Sequence, residues 1–96
     1  MFTHVVFFKL KEATEDKIKL FADTLLAMEG NVPELKGLEV GVDTLRTDRS
    51  FDICLITRFD SEEDYKTYAD SDYHVNTVIR IVRPMIAESK SVDYYI

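Results

Sequence analysis

One cysteine, two histidines, three glycines and two prolines are all that 96 residues contain of these types, and each scarcity closes off some chemistry. A lone cysteine, Cys54, cannot form an internal disulfide. It stands in the apolar run Ile53-Cys54-Leu55-Ile56 and reads as a small, buried, reduced thiol of a cytoplasmic protein; no base is adjacent to activate it. Two scattered histidines and one cysteine do not make a zinc set, so no metal site is expected. Three glycines at separate turns make no phosphate-cradling loop, and no serine has a local nucleophile motif. Basic residues are in deficit, 12 Lys and Arg against 18 Asp and Glu, for a net charge of -6. That argues against a nucleic-acid backbone or an anionic membrane as partner. Long apolar runs are missing as well. Val5-Val6-Phe7-Phe8 is too short for a signal or transmembrane segment and has no basic residues before it.

What the chain does have is a hydrophobic fraction of 46%, with 6 Phe and 5 Tyr, enough for one ordered domain over residues 1–96. Phe2 to Leu10 reads as a strand rich in β-branched and aromatic residues. Phe2, Val6, Phe8 and Leu10 point one way, with His4 among them, and Val5 and Phe7 point the other. A strand apolar on both faces is covered on both faces and belongs in the middle of a sheet. Thr14 then caps a helix with Glu15 and Asp16 in its first turn. Ile18, Phe21, Ala22, Leu25 and Met28 form its apolar stripe, and Gly30 ends it. Leu38, Val40 and Val42 alternate with polar residues or glycine as a half-buried strand. Phe51 to Phe59 is a second two-faced strand. Phe51, Ile53, Leu55, Thr57 and Phe59 line one side, Cys54 and Ile56 the other.

Ser61 and Asp64 open the next helix in a pair resembling a capping box, and this accounts for the acidic run Asp60 to Asp64 without a metal. Tyr65, Tyr68 and Ala69 form its inward face. A short helix starts at Ser71 or Asp72 with Val75, Val78, Ile79 and Val82 as its stripe. Pro84 ends or kinks it. Ser89 to Ile96 is the last strand, with Val92, Tyr94 and Ile96 on one side and Ser91, Asp93 and Tyr95 on the other.

The order strand, helix, strand, strand, helix, strand predicts an α+β, ferredoxin-like βαββαβ fold with a four-stranded antiparallel sheet. Its helices cover one face only. The best register puts Val5, Phe7, Val40, Val42, Cys54, Ile56, Val92 and Tyr94 on the uncovered face, more apolar surface than a monomer normally leaves open. A second copy packed sheet to sheet, a homodimer, is the simplest cover.

Few titratable residues fall on apolar faces: His4, Tyr68, His74 and Asp93. If the helix-covered face holds all four, they converge. A neutral His74 in the first turn of a helix is a usable general base, and a Tyr68 hydroxyl beside it steadies a carbonyl or enolate oxygen. Asp93 would fix the imidazole tautomer from the other ring nitrogen. Each also has a plain structural reading: His4 as a satisfied core polar group, Tyr68 as part of a packing stripe, His74 as a cap or surface residue.

His4-Val5-Val6, Phe51-Asp52, Phe59-Asp60-Ser61, Tyr68 followed by His74, and Val92-Asp93-Tyr94 together resemble the stress-responsive A/B barrel domain, or Dabb, family over essentially the whole chain. The resemblance implies a dimeric α/β barrel of ferredoxin-like protomers. It implies an apolar pocket between sheet and helices, with Val6, Phe8, Phe21, Leu25, Leu55 and Thr57 as lining. A distant similarity to a plant member, olivetolic acid cyclase, implies Tyr68 and His74 as catalytic, with His4 and Asp93 beside them, in an aldol-type ring closure that needs no cofactor. Where the family often has His-Pro, this chain has Ser71-Asp72. The expected function is thus a stress-associated dimeric domain binding a small apolar or aromatic ligand, or alternatively a polyketide cyclase-like enzyme.

Overall fold

A computed structural model describes residues 1–96. The strands are β1 (Phe2–Leu10), β2 (Gly37–Val42), β3 (Ile53–Phe59) and β4 (Ile86–Tyr95). The helices are α1 (Glu15–Leu26), α2 (Glu62–Asp70) and the short α3 (Arg80–Val82). A π-helical segment, Tyr73–Ile79, joins α2 to α3, and a 3-10 turn, Arg83–Met85, leads into β4. The sheet is antiparallel throughout in the order β2-β3-β1-β4. The two strands apolar on both faces are the central ones, as their composition requires.

Local chemistry sets the helix ends. The Thr14 side chain accepts a hydrogen bond from Lys17 N, and the Ser61 side chain accepts one from Asp64 N. Both are N-caps that satisfy orphan amides. Helix α1 stops at Leu26, earlier than its stripe suggests, and tightens into turns closed by Met28 N to Leu25 O and Glu29 N to Leu26 O. Gly30 follows with φ +82°, a backbone state open to glycine at no steric cost. Met28 is nevertheless fully buried. The main core lies between the sheet and the helices and includes Phe2, Val6, Phe8, Leu10, Phe21, Leu25, Met28, Ile53, Leu55, Phe59, Tyr68, Val78 and Val82.

Several expectations need correction. Leu38, Val40 and Val42 pair with Thr57, Leu55 and Ile53, so they share the helix-covered side; the uncovered side of β2 is Gly37, Glu39 and Gly41. Phe51 lies outside β3, which begins only at Ile53, so the strand's alternation does not govern it. Its ring packs 6.2 Å from Phe7 and under Lys9 Nζ, on the uncovered side. Cys54, in register with Phe7 and Gly41, is half-buried on that same side and is not part of the core. Val75 is exposed because the π-helical turn shifts the stripe, leaving Val78 and Val82 as the buried pair. The last strand starts three residues earlier than expected, at Ile86.

One latch fixes the end of the central strands. Asp52, 5% exposed, accepts from Leu10 N at 2.7 Å and from the Arg46 guanidinium at 2.6 Å. Burial pushes its carboxyl up, but the Leu10 amide and the Arg46 charge outweigh that and hold it below its ordinary value. Arg46 takes a left-handed conformation, φ 53°, in which its own amide reaches Asp43.

Candidate functional site

β1 and β4 build one wall of a cavity of about 270 Å3 between sheet and helices. Pleat alternation puts His4, Val6 and Phe8 of β1 on this side. The register then aligns them with Asp93, Ser91 and Ser89 of β4. The serines explain why there is space. Opposite Val6 and Phe8, an apolar face would continue with large side chains; instead it has two hydroxymethyl groups. Leu25 of α1, Tyr65 and Tyr68 of α2, and His74, Val78 and Ile79 of the π-helical segment close the other side, with Val82 and Ile86 beyond.

Tyr68 is 3% exposed. Its hydroxyl donates to Met28 Sδ at 3.4 Å, and a thioether is a weak acceptor. Burial, with smaller contributions from Tyr65 and Tyr73, raises its pKa far above the ordinary phenol value, so it is a proton donor at any physiological pH. The His74 ring packs 4.5 Å from the Tyr68 ring, centroid to centroid. Its Nδ1 lies 2.9 Å from the Ala69 carbonyl oxygen. A carbonyl only accepts, so Nδ1 carries the proton and Nε2 has the lone pair. Burial lowers the pKa of His74, the Ala69 bond raises it in part, His4 and Arg83 lower it further and Asp70 opposes them; the net result is below the ordinary value. The ring is therefore neutral at pH 7, a base with its free nitrogen unpaired. Ser71 braces this geometry: its hydroxyl donates to Tyr68 O at 2.7 Å and accepts from His74 N at 3.2 Å.

His4 is anchored differently. Its Nδ1 bonds to the Asp93 carboxylate directly across the strand pair. Its ring stacks 4.7 Å from Tyr65. Burial, and then the Asp93 charge, raise the pKa of the Tyr65 hydroxyl.

Of the four residues singled out in the sequence, His4, Tyr68 and His74 line this cavity, and Asp93 lies outside its lining, bonded to His4; the partners differ from those expected. Asp93 orients His4, while the tautomer of His74 is set by a backbone carbonyl. Tyr68 and His74 meet ring to ring, with no hydrogen bond between them. Of the expected lining, Val6, Phe8, Leu25 and Leu55 face the cavity. Phe21 does not: it is fully buried against Phe8, at 4.9 Å. Thr57 does not either; it is sealed in the sheet, its hydroxyl directed at His4 O at 3.4 Å. Tyr65, Val78, Ile79, Val82, Ile86, Ser89 and Ser91 were missed as lining. The serines were legible as the period-two continuation of Asp93 back along the last strand.

A larger concavity, about 510 Å3, lies elsewhere, on the uncovered sheet side between Phe7, Gly41, Arg49, Phe51 and Cys54. Of its charged groups, Asp43 and Asp52 are engaged by Arg46, and Arg49 is in no ion pair. The smaller cavity is lined by the neutral His74 ring, while the Tyr68 hydroxyl is turned to Met28, which is fully buried and outside that lining.

Solved structures share this architecture. A dimeric ferredoxin-like protein of unknown function from Thermobifida fusca is 23% identical, with a TM-score of 0.86 over 99% of this chain and 90% of that one. A Dabb family protein from Mesorhizobium loti is 20% identical, with a TM-score of 0.84 over 99% and 95%. A hydroxynitrile lyase from Passiflora edulis is 19% identical, with a TM-score of 0.79 over 99% and 92%. No curated protein matches the sequence. No helix is long and apolar enough to cross a membrane. The model of the stress responsive A/B barrel domain matches residues 2–96, so the chain belongs to the Dabb family.

Proposed function

We propose that this protein is a homodimer, joined through the uncovered sheet face, whose protomers each bind a small apolar or aromatic ligand between sheet and helices. The observation that carries this reading is the cavity. Its lining is mostly apolar, and its few polar groups converge: His4, Tyr65, Tyr68, His74 and two serines. That is the usual make-up of a small-molecule site. The uncovered face leaves Phe7, Val92 and Tyr94 each 40% exposed or more, which supports a partner there. The dimeric ferredoxin-like neighbour is consistent with this. Titration of 15N-labelled protein with a series of alkylphenols tests the site. Shifts confined to the His4, Ser91, Tyr65 and His74 amides are expected; shifts confined to the Phe7 to Phe51 hollow would sink the proposal.

A second reading is favoured by one specific observation, the tautomer of His74. With Nδ1–H held by Ala69 O, Nε2 keeps the lone pair on a ring that lines the cavity, and the Tyr68 hydroxyl has only a thioether to give up. His74 would take a proton from a carbon next to a carbonyl, and Tyr68 would donate a hydrogen bond to the enolate oxygen so formed. The enolate carbon would then attack a second carbonyl in an aldol-type ring closure, and the proton would return to the new alkoxide. No cofactor is needed. A fold neighbour is a hydroxynitrile lyase, so enzymes do occur on this scaffold. Turnover of poly-β-keto and phenolic compounds by wild type and by His74→Ala decides the matter; equal rates would remove His74 from the chemistry.

A further inference from the structure

A second hollow, of about 360 Å3, opens at the end of the sheet where β1 begins and β4 finishes. It shares only Tyr65 with the inner cavity lined by His74. We infer that this hollow is a binding site for an organic cation, a methylated or quaternary ammonium group, held between the Tyr65 and Tyr95 rings, over Phe2 and beside the Asp93 carboxylate. The site stands apart from whatever the inner cavity binds.

Strand register builds the hollow. Phe2 pairs with Tyr95 and His4 with Asp93, so these four side chains form one block on the helix-covered side. The first turns of α2 bring Tyr65 over that block. The Phe2 ring packs 5.3 Å from Tyr95, edge on, and 5.4 Å from Tyr65, tilted at 44°. The two tyrosine rings lean on Phe2 and not on one another, so the buried Phe2 is the floor and they are the walls. Both walls are fixed before any ligand arrives. The Tyr95 hydroxyl accepts from Glu62 N at 3.0 Å. The Tyr65 ring is held by His4 at 4.7 Å and by Phe59 at 5.7 Å. Walls held in this way lower the ordering cost of binding.

Charge selects the occupant. Aromatic faces are electron-rich, and a cation within about 6 Å of a ring centroid is attracted to them. Carboxylates stand beside these rings. Asp93 bonds to His4 through Oδ1 alone, and its side chain stays 40% exposed; Glu62 lines the hollow as well. The Asp93 charge is felt there: after burial, it is what raises the pKa of the Tyr65 hydroxyl. The one basic lining group, Lys66, lies 3.0 Å from Glu62 and is engaged by it. The positive end of α2 opposes a cation, but Glu62, Glu63 and Asp64 in its first turn offset that, and the Glu62 amide is already bonded to Tyr95. An anion would meet two carboxylates and an ammonium already paired. A bare ammonium is strongly hydrated, whereas a methylated one carries apolar surface that the rings can cover.

Choline is the probe. Its control is the neutral isostere dimethylbutanol, in which carbon replaces the charged nitrogen. Titration of the 15N-labelled full chain with choline should give saturable shifts of the Phe2, Tyr65, Asp93 and Tyr95 amides, with a Kd of about 5 mM or tighter. The neutral alcohol should bind at least about ten-fold more weakly. Equal affinity for the two would make the hollow merely apolar and overturn the inference. Choline shifts confined to His74 and Ser91, or no saturation by about 50 mM, would overturn it too. Tyr95→Leu keeps an apolar contact with Phe2 but removes the ring, and should weaken choline binding at least about ten-fold. Tyr95→Phe keeps the ring and should keep most of the affinity; a loss as large as in Tyr95→Leu would count against the aromatic walls. Amide spectra unchanged away from the hollow verify that each variant is folded. A folded Tyr95→Leu protein that binds choline as well as wild type overturns the inference. Alkylphenol binding in the inner cavity should be the same in Tyr95→Leu as in wild type, so failure of one site is distinguishable from failure of the other.

Discussion

Replacing Ser91 by leucine should stabilise the protein and blind its cavity. Ser91 lies opposite Val6 on the helix-covered side of β4, where its small side chain leaves the space unfilled. Leucine adds about three carbons there. Full burial would contribute roughly 0.8 kcal/mol for each, or about 2.4 kcal/mol in all. The cavity is open at one side and β4 is an edge strand, so about half that, near 1 kcal/mol, is the expected gain. In a domain of this size such a gain raises Tm by about 4–8 °C, compared at equal protomer concentration because the Tm of the proposed dimer would depend on it. The same side chain occupies the place a ligand would take, so affinity for an alkylphenol should fall at least about ten-fold, or about 1.4 kcal/mol. Thermal unfolding and calorimetric titration measure the two effects on one preparation. A variant that loses more than 1 kcal/mol of stability while binding unchanged would falsify the idea that the two serines hold the site open.

Other outcomes follow from particular groups. His74 titrates below its unfolded value of 6.5. Its contribution to stability should therefore be complete above about pH 6.5 and decline as pH falls toward the folded value. Below that it should level off. Denaturation midpoints across that range, in wild type and in His74→Gln, should show this slope in wild type alone. Asp52→Ala strips Leu10 N and Arg46 of their acceptor, and a loss of about 3 kcal/mol by urea denaturation is expected; a loss under 1 kcal/mol would mean the latch is ornamental. Thr3 is fully buried, and its hydroxyl has no hydrogen-bond partner. Thr3→Val should therefore raise stability by about 1 kcal/mol, and a loss would show that the hydroxyl is satisfied in solution.

The central strands were readable because alternation fails in them: apolar residues on both faces have only one place in a sheet. The caps at Thr14 and Ser61 were readable because they are local, one side chain and one amide three residues on. Leu38-Glu39-Val40-Gly41-Val42 was misassigned because alternation says which residues share a side, never which side of the sheet that is. Only the register with β3 decides it, and register is a non-local property. Phe51 misled for a related reason, since periodicity was carried past the strand's true start. At the site, the polar anomalies on apolar faces, His4 and Asp93, were legible as anomalies. Their pairing was not, because it depends on β1 and β4 meeting across 89 positions of chain. The brace between His74 and Ala69 arises from a π-helical turn that residue spacing gives no means to foresee.

That turn has a consequence for the length of the chain itself. A π-helical stretch amounts to an α-helix that has absorbed an extra residue. Asn76 and Thr77 are exposed, and deleting either would let Tyr73–Ile79 relax to α-helical spacing. Val78, Val82 and β4 would keep their places in the core, whereas His74 would be rotated away from Ala69 on the unsupported side of the turn. The fold can therefore do without a residue that the site cannot. Among chains of this architecture, the length of the link between α2 and β4 should separate those that keep an oriented imidazole over the cavity from those that keep only the barrel.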